Sequence, residues 1–229
     1  EVGRDILKQG GNAIDAAVAT AFALAVVHPA AGNIGGGGFL VYHGADGETT
    51  AFNFREKAPA AAFETMFLDE EGNLDETKHH RALTSTGVPG TVAGLALAHD
   101  RFGSLPWSDL LQPAVRLAEN GFPFTWNLKS VQERFRSMAE DNPIYQSTAD
   151  AFLKNGTETH EPGELLVQGD LAETLKRIRD HGRDGFYKGE TARLIADFMS
   201  TWGGLITEAD LAAYEADEQA PIHGTYRGY

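Results

Sequence analysis

The chain has 229 residues, 42% hydrophobic and 23% charged, enough for one large domain or two small ones with a sizeable core. Its formal net charge is −14, with the acidic residues scattered along the sequence. That argues against a phosphate-binding face of clustered Lys and Arg and disfavours an anionic membrane surface, so neither nucleic acid nor membrane is an expected partner. There is no cysteine, which removes disulfides, thiolate metal sites and a cysteine nucleophile.

Residues 2–9 are expected to be helical, with Val2, Ile6 and Gln9 at helical spacing and Gly10-Gly11 as the stop. Asn12 is placed to cap a second helix that runs to about Val27 and ends at His28-Pro29. Alanines and aliphatics surround that helix on nearly every face, which predicts burial close to a sheet. The apolar stretch 16–27 is well short of the ~20 residues that cross a bilayer. No signal peptide is visible, and the opening Glu1-Val2-Gly3-Arg4-Asp5 reads as the middle of a helix, so both ends of the chain read as interior cuts.

After a glycine run, residues 39–43 read as a strand, Asp46-Gly47 as a turn, and 48–54 as the return strand of an antiparallel hairpin. Pro59 ends it, and a polar loop with Asp69, Glu70, Glu71 and Gly72 follows. The rest is mainly helical. Residues 108–120 end at Gly121, with Pro113 marking an early kink or restart, and 126–139 have mixed helical character. Leu171, Leu175 and Ile178 form one apolar stripe closed by Gly182; Ala192, Ile195, Ala196 and Met199 form another closed by Gly203-Gly204. Thr207 with Asp210 resembles a capping box opening a short helix through Tyr214, and 222–229 read as a turn entering a strand. Two strands do not make a stable sheet alone, so the hairpin's partners are expected outside this chain.

Four features bear on chemistry. The glycines at 35–38 precede a strand and lack a following Lys-Ser/Thr, which fits neither a P-loop nor a dinucleotide fingerprint. They fit a tight connection between close backbones, or a loop near a substrate. His79-His80 sit in a polar stretch, and a zinc site needs three or four convergent ligands, so solvated histidines are expected and no metal. No GxSxG elbow occurs. On the strand 48–54, alternation puts Thr50, Phe52 and Phe54 on one face and Ala51, Asn53 and Arg55 on the other. Arg55 presents its planar fork at the sheet's rim, suited to a structural ion pair or to bidentate recognition of a carboxylate. Glu56 is expected to point away from it.

The sequence also resembles the gamma-glutamyltransferases over essentially its whole length. The resemblance rests on an ordered set: Ile6 to Ala17 (ILKQGGNAIDAA), His28-Pro29, Gly32-Asn33-Ile34 running into the glycines and Phe39, Phe54-Arg55-Glu56-Lys57-Ala58-Pro59, Thr86-Gly87-Val88-Pro89-Gly90-Thr91-Val92-Ala93-Gly94, Gly203-Gly204-Leu205-Ile206-Thr207-Glu208-Ala209-Asp210-Leu211, and Tyr226-Arg227-Gly228-Tyr229. It implies an α+β fold of the N-terminal nucleophile hydrolase type, a four-layer αββα sandwich, of which this chain is an incomplete large-subunit portion, helix-rich after the first hairpin. It further implies a precursor that cuts itself before a Thr, which then serves as nucleophile and base from a small subunit beyond Tyr229. No residue of this chain is expected to be catalytic. Arg55 matches the position whose guanidinium binds the α-carboxylate of a gamma-glutamyl group, while Asn53 departs from the Asp often found two residues before it.

The expected activity is cleavage of the gamma-glutamyl amide of glutathione or related compounds, with transfer to water or to amino-acid or peptide acceptors and no cofactor. The rivals are an acylase of the same fold, cephalosporin acylase-like or poly-gamma-glutamate-processing, and a non-catalytic binding module. Family habit implies an exported or periplasmic protein, about which the residues themselves are silent.

Overall fold

A computed structural model describes residues 1–140 and 142–228. The helices, in chain order, are α1 (Val2–Lys8), α2 (Ala13–Val27), α3 (Glu76–His80), α4 (Thr91–Phe102), α5 (Trp107–Asn120), α6 (Trp126–Ala139), α7 (Gln146–Phe152), α8 (Gly169–His181), α9 (Asp184–Tyr187), α10 (Gly189–Trp202) and α11 (Glu208–Ala213). The strands are β1 (Phe39–His43), β2 (Thr49–Asn53), β3 (Phe122–Pro123), β4 (Leu165–Leu166) and β5 (Asp217–Gln219). The chain divides into two compact units, Glu1–Asn33 with Gly103–Thr191, and Ile34–Phe102 with the residues from Ala192 onward.

The first unit is built on α2. Its start is fixed by a full capping box: Asn12 Oδ1 accepts from the N–H groups of Ile14 (2.9 Å) and Asp15 (3.1 Å), and the Asp15 carboxylate accepts from Asn12 N (2.8 Å). Asp15 does more than cap. Fully buried, it also accepts from the backbone and hydroxyl of Ser104 and from Leu105 N. At the other end, Gln168 Nε2 donates to the Val26 carbonyl at 2.9 Å, satisfying one of the helix's terminal acceptors. Helix α2 packs mainly on α1 and α5, and α5 on α8. Phe22 meets the edge of Trp107 with ring centroids 5.5 Å apart, and Trp107 Nε1 donates to the Ile178 carbonyl. Ile6, Val18, Phe22, Leu110, Leu111, Leu175 and Ile178 are buried here, each contributing about 1.5–3 kcal/mol of transfer free energy. The sheet expected beside α2 belongs to the second unit; within the first unit the partners of α2 are the helices α1 and α5. An all-round apolar surface dictates burial without specifying what covers it. Helix α5 continues through Pro113 as one helix, without the expected restart.

In the second unit the expected hairpin forms, with Phe39 opposite Asn53, Val41 opposite Ala51 and His43 opposite Thr49. Thr50, Phe52 and Phe54 are buried, as the alternation predicts. Tyr42 stacks on Phe102 at 4.1 Å, and Phe52 meets the same ring edge-on. The opposite face of β1 leaves Phe39 and Val41 more than half exposed.

The hairpin's third strand comes from the chain itself, against expectation. Strand β5 pairs antiparallel with β2, placing Gln219 opposite Ala51 and Asp217 opposite Asn53. Its sequence, Asp-Glu-Gln, has no strand signal. Side chains recruit it instead: Thr50 Oγ1 donates to Glu218 Oε1 at 3.0 Å, and Arg101 bridges Glu218 (3.6 Å) and Glu48 (2.8 Å). Residues 222–228, expected to enter a strand, form none. Tyr229 lies outside the described residues.

Candidate functional site

The glycine run is a close backbone junction. Gly38 and Phe54 exchange both backbone hydrogen bonds (3.2 and 3.0 Å), and the Gly36 carbonyl accepts from Gly90 N (2.7 Å) and Thr91 N (3.0 Å), at the start of α4. A Cβ on Gly37 would run into the Phe54 carbonyl and Glu56 N. Any side chain there would push the segment carrying Arg55 out of place. The run therefore positions residues 54–56.

Arg55 stands two residues past the end of β2, with its side chain 69% exposed. Its backbone is held at both polar groups. Its N–H donates to Asn53 Oδ1 at 3.1 Å, and its carbonyl accepts from the Tyr214 hydroxyl at 2.8 Å. An amide oxygen at position 53 thus serves as acceptor where the resemblance leads one to expect a carboxylate. The guanidinium meets Glu56, Nε to Oε2, at 3.1 Å. The expectation that Glu56 points away is wrong: the chain has left the strand after Asn53, so pleat alternation no longer governs residues 55 and 56. The contact uses Nε alone, and Arg55 keeps most of its fork toward solvent.

Around this arginine the chain is closely tied. Lys57 and Val88 exchange backbone bonds (2.8 and 3.2 Å), Ala60 N donates to Asp210 Oδ1 (2.7 Å), and Lys57 Nζ donates to the Glu215 carbonyl (2.7 Å). Asp210 is itself half of the expected capping box of α11, with Thr207. Burial pushes its carboxyl up, but the Ala60 and Thr207 donors outweigh that and hold it below the usual range. Tyr214 is almost fully buried. Burial first, then the charges of Asp217 and Glu56, push its hydroxyl up to about 12, so it stays protonated and a donor. A Cβ on Gly90 would collide with that hydroxyl, and one on Gly94 with the Phe54 ring, so both glycines keep space that the Arg55 segment needs.

The family model for gamma-glutamyltranspeptidase matches residues 1–229. The chain belongs to the gamma-glutamyltranspeptidase family. It is 49% identical over 229 residues to the glutathione hydrolase proenzyme of Escherichia coli (strain K12), covering 100% of this chain and 39% of that relative. A crystal structure of Helicobacter pylori gamma-glutamyltranspeptidase superposes with a TM-score of 0.95 at 47% identity, covering 100% of this chain and 64% of that one. The acylase ACY 1 proenzyme of Pseudomonas sp. (strain SE83) is 39% identical over 234 residues, covering 99% of this chain and 41% of that relative. The chain thus spans about two-fifths of the curated relatives' length. Its fold is α+β and helix-rich, of the N-terminal nucleophile hydrolase type.

His79 and His80 are joined by a third ligand-type group that sequence reading did not weigh, Glu76 one turn earlier on α3. Their ligand atoms lie within 4.8 Å of one another, near the surface. His80 Nε2 lies 3.1 Å from both His79 Nδ1 and Glu76 Oε2. Sequence reasoning also missed Tyr214 as a partner of Arg55, since nothing local pairs residues 159 positions apart.

Proposed function

We propose that this chain is the large-subunit portion of a gamma-glutamyltransferase, acting with a small subunit from the same precursor, and that Arg55 binds the α-carboxylate of the gamma-glutamyl donor. The observation carrying the reading is an exposed guanidinium on a segment fixed by backbone bonds, within a chain of this family. In the proposed reaction a Thr hydroxyl of the small subunit attacks the gamma-amide carbonyl of glutathione or a related compound. The Thr oxygen–carbon bond forms, the amide C–N bond breaks, and the leaving amine takes the proton from the hydroxyl by way of the Thr amine. Water or the amine of an amino acid or peptide then attacks the ester and frees the Thr. Arg55 takes no part in the bond changes. It orients the donor through two parallel N–H···O bonds to the α-carboxylate, which fixes the gamma-carbonyl before the nucleophile.

The test is Arg55→Ala in the full-length, processed enzyme. Leaving the α-carboxylate unpaired costs roughly 2–5 kcal/mol, so kcat/KM should fall about thirty- to several-thousand-fold. Arg55→Lys should recover part, because an ammonium keeps the charge without the fork. A donor lacking the α-carboxylate should be poor with wild type and nearly indifferent to the change. Equal losses for both donors in a normally processed mutant would refute the role. The likeness to an acylase supports a second reading with the same fold and another acyl group. Preference for a side-chain acyl donor without the α-carboxylate would favour it.

A further inference from the structure

Helix α11 and the residues after it hold the Arg55 segment at three separate points. The Tyr214 hydroxyl donates to the Arg55 carbonyl (2.8 Å), Asp210 accepts from Ala60 N (2.7 Å), and the Glu215 carbonyl accepts from Lys57 Nζ (2.7 Å). The Lys57 ammonium also lies over the Tyr214 ring, 5.3 Å from its centroid, and within 3.4 Å of Asp217. The three ties fall on residues 55, 57 and 60, so they span the whole turn that carries the guanidinium. Tyr214 is the one that touches Arg55 itself. It reaches the carbonyl through the space kept open by Gly90. On the other side, the Asn53 amide fixes the Arg55 N–H.

A long side chain that is 69% exposed gains little orientation from its own packing, and each free rotor it must freeze on binding weakens the complex. What the fold can fix in advance is the Cα–Cβ direction from which the fork reaches out, set by the peptide planes on either side of residue 55. The Asn53 bond fixes one plane and the Tyr214 bond the other.

From this geometry we infer that Tyr214 is a positioning residue for donor recognition, its hydroxyl holding the Arg55 peptide so that the guanidinium fork is aimed before the donor arrives. The inference rests on the carboxylate-binding reading of Arg55 given above. It assigns Tyr214 no contact with the donor and no part in bond making.

The experiment uses the full-length, self-processed enzyme and a gamma-glutamyl anilide, with a matched donor lacking the α-carboxylate as control. Tyr214→Phe keeps the ring and removes only the hydroxyl. Loss of one neutral hydrogen bond corresponds to about three- to tenfold. KM for the anilide should rise by that factor with kcat unchanged within about twofold, and the control donor should show no rise. In the Arg55→Ala background the same change should add nothing, because residues acting through one another are not additive. Three results overturn the inference: an unchanged KM, an equal rise for both donors, or a full additional loss in the double mutant. The failures are separable. If Arg55→Ala itself does not distinguish the two donors, the carboxylate reading falls and the inference with it. If Arg55→Ala distinguishes them and Tyr214→Phe does not, only the positioning role falls. Should Tyr214→Phe impair processing, Asn53→Ala, which frees the opposite peptide plane, must show the same donor-selective rise in KM; its absence also overturns the inference.

Discussion

Replacing Asp15 by Asn tests how the first unit is held together. The carboxylate is fully buried and accepts from four donors on two segments: Asn12 N at 2.8 Å, Ser104 N at 3.0 Å, Leu105 N at 3.3 Å, and the Ser104 hydroxyl. An amide fills the same volume but offers one acceptor oxygen and one NH2. Whichever way it is turned, the NH2 faces a backbone N–H and leaves at least one buried donor without its acceptor. Bonds to a charged group contribute about 1.5–3 kcal/mol each, and an orphaned buried donor costs about 1–3 kcal/mol. A loss of about 2–4 kcal/mol follows, read as a lowered Tm. The pH dependence gives a second check. Burial pushes the Asp15 carboxyl up, but the Ser104 hydroxyl and the N–H groups of Asn12, Ser104 and Leu105 outweigh it and hold the group below its ordinary value. A depressed carboxylate contributes fully above its unfolded value of about 3.9 and loses that contribution as pH falls through the folded value. The gap between wild type and Asp15→Asn should therefore persist from pH 7 to pH 5 and close only below about pH 4. Thermal melts of the full-length protein at these pH values measure it. A mutant within about 1 kcal/mol of wild type at pH 7 would show that the four bonds are not what secures this junction.

His160 is buried, its Nδ1 facing Gln132 Nε2 at 3.1 Å; burial, then the Lys154 charge, push it down, with Glu164 pulling the other way. Stability should be full above its unfolded value of about 6.5 and decline below it; His160→Asn should flatten that slope in urea titrations, and an unaltered slope counts against the reading. Gly94→Ala should destabilise by about 1–3 kcal/mol despite alanine's better helix propensity, because its Cβ overlaps the Phe54 ring; a raised Tm would contradict this. Residues 1–229 alone should release no product from a gamma-glutamyl anilide, since the proposed Thr nucleophile lies elsewhere in the precursor; turnover that survives repurification would sink that placement.

Much of the fold was legible wherever the signal is local. The Asn12 cap, the Asp46-Gly47 hairpin, the Thr207–Asp210 capping box and the stops at Gly121, Gly182 and Gly203 each depend on a few neighbouring residues, and each forms. What stayed hidden depends on distant partners. Strand β5 exists because Thr50 and Arg101 reach Glu218, and Tyr214 finds the Arg55 carbonyl from across the sequence. The helices that cover α2 cannot be deduced from an apolar surface alone. The Glu56 error has a different origin, since strand alternation was carried two residues beyond the strand. For the candidate site, residue chemistry left Arg55 between an ion pair and a ligand, and the ordered motifs supplied the preference.

The pairing of β2 with β5 joins residue 51 to residue 219. Closing so long a loop is entropically costly and rewarded only once many contacts are already in place. The hairpin can form early from its own turn, but its second edge must wait for nearly all of this chain to be synthesised. Until then β2 presents an open edge, and the carbonyl of Arg55 has water in place of a tyrosine. A nascent chain arrested before residue 214 should therefore carry a hairpin whose outer strand exchanges its amides freely, and this interval is when the segment is most exposed to mispairing with another copy.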